Sequence, residues 1–233
     1  SKLMMNIVYN CDDSYAVHTA VSAASVFENN REEPEIRVFV LGNGITEDSC
    51  GKLSETAARW REPGKLREIT VIDLREFGAA LKLLFGEKLD AGRFTVTALA
   101  RIFAPQHLPD DVERYLYLDC DTGVRRPLKE LWETELHGAV CGMAAEPTIY
   151  PDVMDYLEIP EGMPYHNTGM MLVDRTAWEA GGVPADCVEY YRSKEGRLPF
   201  SDQDILNHCL RGRVRTLWQG WDFFANYHYR SYR

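Results

Sequence analysis

The chain has 233 residues, 45% of them apolar and 27% charged, a globular composition rather than that of a disordered tail or a coiled coil. Its 26 Lys and Arg against 36 Asp and Glu leave a net charge of −10, which excludes broad binding to a nucleic-acid backbone while leaving room for a small phosphorylated ligand held by one Arg and a metal ion. No stretch approaches the ~18 apolar residues that span a bilayer, and the first residues lead into an apolar strand rather than a signal peptide. Six scattered cysteines (Cys11, Cys50, Cys120, Cys141, Cys187, Cys209) show neither C-x-x-C nor zinc spacing, and read as free thiols of a reducing cytoplasm.

In chain order, Asn6–Tyr9 reads as a buried strand. Asp12, Asp13 and Ser14 offer N-cap chemistry to a helix over 15–27. Ile36–Leu41 is a second strand, closed by Gly42-Asn43-Gly44, and Thr46 opens a helix to about Trp60. Leu66–Ile72 is a third strand, followed by a helix over 74–85 with Leu81, Leu84 and Phe85 on one stripe. A further helix over 95–103 is stopped by Pro105, and Tyr115–Leu118 is a short strand. Beyond it, 139–145 and 170–173 read as strands, and 185–191 and 202–210 as helices. The order β-α-β-α-β predicts one α/β domain with a mostly parallel sheet flanked by helices, and ligands at the carboxyl ends of the strands.

Five segments could carry chemistry. Asp119-Cys120-Asp121 ends an apolar strand, and i and i+2 on one strand face would aim both carboxylates at one hard cation; solvated acids beside a turn explain the same residues. Asn10 to Tyr15 lies past the first strand, where a nucleotide would sit, with Tyr15 stacked on a base and Asp12 accepting from a base N–H; a helix cap with a packed tyrosine is the plainer account. Arg101 within an apolar helix needs a partner, either a phosphate, a carboxylate ligand or a structural salt bridge. His166-Asn167-Thr168-Gly169 reads as a polar turn feeding a buried strand, where Asn167 could bond sugar hydroxyls. Ser201 is a natural N-cap for a helix whose first residues, Asp202 and Gln203, could face a site, and capping would suffice for Asp204.

Taken in this order, from Asn6-Ile7-Val8 to Asn207, the set resembles the family 8 glycosyltransferases, the group of bacterial lipopolysaccharide galactosyl- and glucosyltransferases with glycogenin as a distant relative. The resemblance covers residues 6 to about 227. It implies a single GT-A, Rossmann-like domain over 1–233 and a UDP-sugar donor. The implied reaction is metal-dependent transfer of glucose or galactose, with retention, to a saccharide or lipid-linked saccharide acceptor. It implies that Asn10, Asp12, Ser14 and Tyr15 bind uridine, and that Arg101 bridges donor sugar and phosphate. Asp119 and Asp121 would hold Mn²⁺ or Mg²⁺, and Cys120 would lie in the donor-binding segment with its side chain turned away. Asn167 would lie near the donor sugar and Asp202 and Gln203 below its ring, with Gln203 closest to the anomeric carbon. Because Gln203 is an amide, front-face transfer is the expected route, and a double displacement through Asp202 stays open.

The family's C-terminal His-x-x-Gly-x-x-Lys-Pro-Trp segment, which supplies a further metal ligand and a diphosphate contact, is absent from this sequence, and His228 comes too early to replace it. Relatives acting on lipid-linked acceptors carry a basic, aromatic tail there, so peripheral contact with the inner membrane face would depend on that end. Two other readings compete. A haloacid dehalogenase-type phosphatase would use Asp119 as nucleophile, but its motif follows the first strand, and here half the chain precedes it. A nucleotide-sugar-binding scaffold would keep the pocket without turnover.

Overall fold

The computed structural model describes residues 4–85, 99–147, 149–195, 197–198 and 202–221. Five strands start the account: β1 (Met4–Asp12), β2 (Glu35–Asn43), β3 (Leu66–Asp73), β4 (Arg114–Leu118) and β5 (Cys141–Ala145). With β6 (His166–Asp174) and β7 (Val214–Leu217) they form one seven-stranded sheet in the order β3-β2-β1-β4-β6-β5-β7. β1 pairs in parallel with β2 and β4, β2 with β3, and β5 with β7, while β6 runs antiparallel to both of its neighbours. The sheet is therefore mostly parallel, as expected. From Met5 to Asn10, β1 is buried throughout, the pattern of a strand covered on both faces.

Alternation sends successive side chains to opposite faces. Tyr9, Leu116, Leu118, Met170 and Leu172 pack with α1 (Ala16–Asn29), α2 (Glu47–Ala58) and the segment 124–136, which holds the single turn α4 (Lys129–Trp132). Val8, Tyr115, Tyr117, Met171 and Val173 face the other layer. That layer holds α3 (Arg75–Phe85), a 3-10 turn at Arg101–Gln106, α5 (Pro151–Tyr156), α6 (Arg175–Ala180), α7 (Val183–Ser193) and α8 (Asp202–Leu210). Helix α1 buries Ala16, Thr19, Ser22, Ala23, Val26 and Phe27, a stripe at helical spacing.

The segment joining the 3-10 turn to β4 has no ladder of its own. Arg175 at the start of α6 serves it instead, donating to the carbonyls of Pro105 (2.6 Å), Leu108 (3.1 Å), Pro109 (2.5 Å) and Val112 (3.2 Å). Nearby, Trp178 is fully buried and its indole N–H donates to the Ile102 carbonyl at 3.0 Å.

Several expectations change. The strand read at 6–9 continues to Asp12, so Asn10, Cys11 and Asp12 belong to β1 rather than to a loop beyond it. His166–Gly169 is not a turn but the first half of β6, paired with β5 through Ala144↔Asn167 and Ala145↔His166. The helix expected over 95–103 is described only from Leu99, and from Arg101 it tightens into a 3-10 turn that contains Pro105 instead of stopping before it. Pro105, the fifth residue of that turn, has no N–H to give the Ile102 carbonyl three residues back, and that carbonyl accepts the Trp178 indole N–H instead. On α3, Leu81 is buried but Leu84 is 44% exposed; the Phe85 side chain, like Ser201 and His228, lies outside the described residues. Strand β7 has no counterpart in the expected order.

Candidate active site

The carboxyl ends of β1 and β4 and the amino end of antiparallel β6 meet at one edge of the sheet. Asn10 and Asp12 close β1, Asp119 follows β4, and Asn167 and Thr168 begin β6.

Arg101 is the centre of the cluster. Its side chain is 7% exposed, and Nη2 lies 2.5 Å from Asp202 Oδ2 at the start of α8. Nη1 donates to the Thr168 carbonyl at 2.6 Å and lies 3.7 Å from Asp119 Oδ1. The guanidinium stands 5.4 Å from the centroid of the Tyr117 ring. Burial alone would lower its pKa, but Asp202, Tyr117 and Asp119 outweigh burial and hold the charge on. Nε–H is buried and has no hydrogen-bond partner among the described residues. The partner that the sequence left open is thus a carboxylate, Asp202.

Asp119 and Asp121 do not share a strand face as the sequence suggested. The strand ends at Leu118, and the Thr122 N–H folds back to the Asp119 carbonyl at 3.2 Å, so both acids lie on a turn. The Asp119 N–H donates to the Gly169 carbonyl at 2.9 Å, and its carboxylate accepts from Tyr117 Oη at 3.2 Å. Burial pushes the Asp119 carboxyl up to about 6, with Asp121 and Asp202 adding to the rise and Arg101 opposing it. A carboxylate destabilised by neighbouring acids on a turn fits a hard cation, whose charge would relieve that repulsion. Among the described residues no group of three His, Cys, Asp or Glu side chains gathers around one point, so Asp119 and Asp121 are the pair available there. Cys120, between them, packs toward the α1 layer, and burial pushes its thiol up to about 12.

At the far side of the edge, Gln203 Oε1 accepts from the Thr168 N–H at 3.1 Å. Asn207, one turn further along α8, clamps the helix onto β6: its Oδ1 accepts from His166 N at 2.6 Å and its Nδ2 donates to His166 O at 2.8 Å. Asn167 donates to Glu146 and accepts from the Gly169 N–H at 2.8 Å. Asp204 is fully buried and accepts from Tyr165 Oη at 2.7 Å, so it does more than cap the helix.

In the Asn10–Tyr15 segment Asp12 caps not α1, which starts at Ala16 without a side-chain cap, but the 3-10 turn Asp13–Tyr15 before it, its Oδ1 accepting from the Tyr15 N–H at 3.3 Å and from Ser14 Oγ at 2.5 Å. Asn10 is buried at 6% exposure. Tyr15 is not packed away: it is 47% exposed, with His18 at 5.2 Å between ring centroids.

Tyr117, Tyr165 and Glu146 escaped the sequence reading, and Thr168 was read only as part of a turn. Tyr117 was recoverable as the polar-tipped residue next to last on the strand that leads into Asp119, since a buried phenol needs a partner. Glu146 carried no such signal; only the register of β5 against β6 brings it to Asn167.

A family model described as glycosyl transferase family 8 matches residues 6–233. Among curated proteins, the chain is 24% identical over 222 residues to General stress protein A of Bacillus subtilis (94% of this chain, 73% of that one). It is 26% identical over 220 residues to lipopolysaccharide 1,2-glucosyltransferase of Escherichia coli K12 (91% of this chain, 60% of that one). The chain thus spans between about half and three quarters of the length of the curated relatives it matches. Among solved structures, it resembles the galactosyltransferase LgtC in complex with donor and acceptor sugar analogs, with a TM-score of 0.76 and 27% identity over 97% of this chain and 80% of that one. An active-site mutant of LgtC gives a TM-score of 0.77.

Proposed function

Because the chain belongs to glycosyl transferase family 8 and has its GT-A fold, we propose that this sugar-transferring enzyme moves glucose or galactose, with retention, from a UDP-sugar to a saccharide or lipid-linked saccharide acceptor. The observation that carries this reading is the buried Arg101, held charged between Asp202 and Asp119 at the carboxyl edge of β1 and β4. A fixed cation in a largely dry site stabilises the negative charge that develops on a departing diphosphate. Asp119 and Asp121 are the residues that would hold a divalent cation, Mn²⁺ or Mg²⁺, which when bound supplies Lewis-acid neutralisation of the same diphosphate.

The uridine belongs at the end of β1, where the exposed Tyr15 ring offers a stacking face beside Asn10 and the Asp12–Ser14 cap. The donor sugar belongs between Asn167 and Gln203. Two features favour front-face transfer. Gln203 is an amide whose oxygen is engaged by the Thr168 N–H, and the Asp202 carboxylate is bound to Arg101 at 2.5 Å rather than free to attack. Asp202 then acts by fixing Arg101. The phosphatase reading fails on order, since three strands precede β4 and its acids. The relatives named lipopolysaccharide 1,2-glucosyltransferase support lipopolysaccharide assembly as the setting. No helix among the described residues is long and apolar enough to cross a membrane.

The test is a panel of UDP-sugars with and without Mn²⁺. Slow hydrolysis of UDP-glucose or UDP-galactose, dependent on Mn²⁺, is expected. Asp121→Asn should abolish the metal-dependent part of the stabilisation by UDP in thermal unfolding. Equal Tm gains in parent and variant would overturn the assignment of the cation to these acids.

A further inference from the structure

Behind the Asp119–Asp121 turn runs a line of buried hydroxyls that donor binding does not use. Tyr9 of β1 is fully buried, and its Oη lies 2.7 Å from Ser22 Oγ on α1. Ser22 Oγ lies 3.3 Å from Thr122 Oγ1, and Thr122 Oγ1 lies 2.7 Å from the Asp119 carbonyl oxygen. Ser22 is 0% and Thr122 5% exposed.

The chemistry fixes the direction of this line. The Asp119 carbonyl can only accept, so Thr122 donates to it. The Thr122 oxygen is then left to accept from Ser22, and Ser22 to accept from Tyr9, whose phenol burial keeps protonated. A hydroxyl chain polarised one way strengthens each bond in it. The apolar side chains of this cluster include Leu118, Val124, Ala23 and Val26, and Ser25 adds a separate tie one turn along α1, its Oγ donating to the Ser22 carbonyl at 2.6 Å and accepting from the Val124 N–H at 2.9 Å.

We propose that Thr122 and Ser22 are positioning residues for the cation-binding turn, joining the backbone of Asp119 to α1 so that the Asp119 and Asp121 carboxylates are presented at a fixed separation. This rests on the donor reading above. The turn's own backbone contact, Thr122 N–H to Asp119 O at 3.2 Å, closes it only locally. The hydroxyl line ties it to the helix that also begins beside Tyr15, so uridine and cation ends of the site share one support.

The experiment measures Mn²⁺ binding to the protein in saturating UDP, by the electron paramagnetic resonance signal of free Mn²⁺. Thr122→Val keeps the shape and removes both hydroxyl contacts; losing one net hydrogen bond's worth of preorganisation predicts about a fivefold weaker Mn²⁺ affinity. Thr122→Ser should restore the parent affinity, and Ser22→Ala should weaken it by a smaller factor than Thr122→Val. Parent-like affinity in Thr122→Val, or equal loss in Thr122→Ser, overturns the inference while leaving the donor reading intact. A parent protein that takes up no Mn²⁺ with UDP overturns both.

Discussion

Replacing Asp202 with Asn removes the main counter-ion of Arg101 at nearly constant shape. The two side chains are 7% and 15% exposed, and their atoms lie 2.5 Å apart, so the pair is desolvated and its loss strands a buried cation. Breaking a buried pair by removing one partner costs about 3–5 kcal/mol. Here the Thr168 carbonyl at 2.6 Å remains, and Asp119 at 3.7 Å still offers a partial counter-charge, so the lower end, about 3 kcal/mol, is expected. For a chain of this size that corresponds to a fall in Tm of roughly 6–12 °C. Thermal unfolding and urea titration of parent and Asp202→Asn, without metal or nucleotide, measure it. The loss should shrink when Arg101 is also replaced by Met, because the stranded charge is then gone. A Tm within 2 °C of the parent would refute the claim that Arg101 depends on Asp202, and with it the reason for denying Asp202 the part of nucleophile.

Other outcomes follow from the same structure. Burial lowers the His166 pKa to about 4, below its unfolded value, so the folded state keeps it neutral while the unfolded chain takes up a proton. Its contribution to stability is therefore full above about pH 6.5 and declines as pH falls toward 4; about 2 kcal/mol should be lost between pH 6.5 and 5, and His166→Gln should flatten that slope in urea titrations. Trp178→Phe removes the donor to the Ile102 carbonyl and leaves a void in a fully buried position, and should cost about 2–3 kcal/mol in urea unfolding. An unchanged midpoint would mean that the 3-10 turn carrying Arg101 is held elsewhere.

The fold was legible where burial wrote itself into runs of apolar residues. β1, β2 and β4 sit inside a doubly covered sheet, and their sequences are nearly continuous hydrophobic stretches. Legibility failed where strands enter the site. Polar residues at a strand end look like a turn, which is why His166–Gly169 was misread; only pairing with Ala144 and Ala145 reveals them as β6. The same holds for Asn10–Asp12 at the end of β1. β7 is a four-residue strand, Val-Arg-Thr-Leu, too short for any period to show. Candidate residues were found from their types and order, whereas their partners were not. Nothing local says that Arg101 faces Asp202, 101 positions away, or that Asn167 faces Glu146.

The four carbonyls gathered by Arg175 have a bearing on how this protein can change. The segment from Pro105 to Val112 is pinned by its buried Leu108 and Val112 side chains, but its carbonyls are served by one planar fork mounted on another element. Its exposed residues are then free to drift, while the guanidinium is not: a lysine, a compact point charge, cannot span four acceptors. Substitutions at the exposed Gln106 and Asp110 that leave the backbone path alone should be nearly silent. A single change of Arg175 to Lys would release the whole connection, and with it the alignment between the turn that carries Arg101 and the strand that follows.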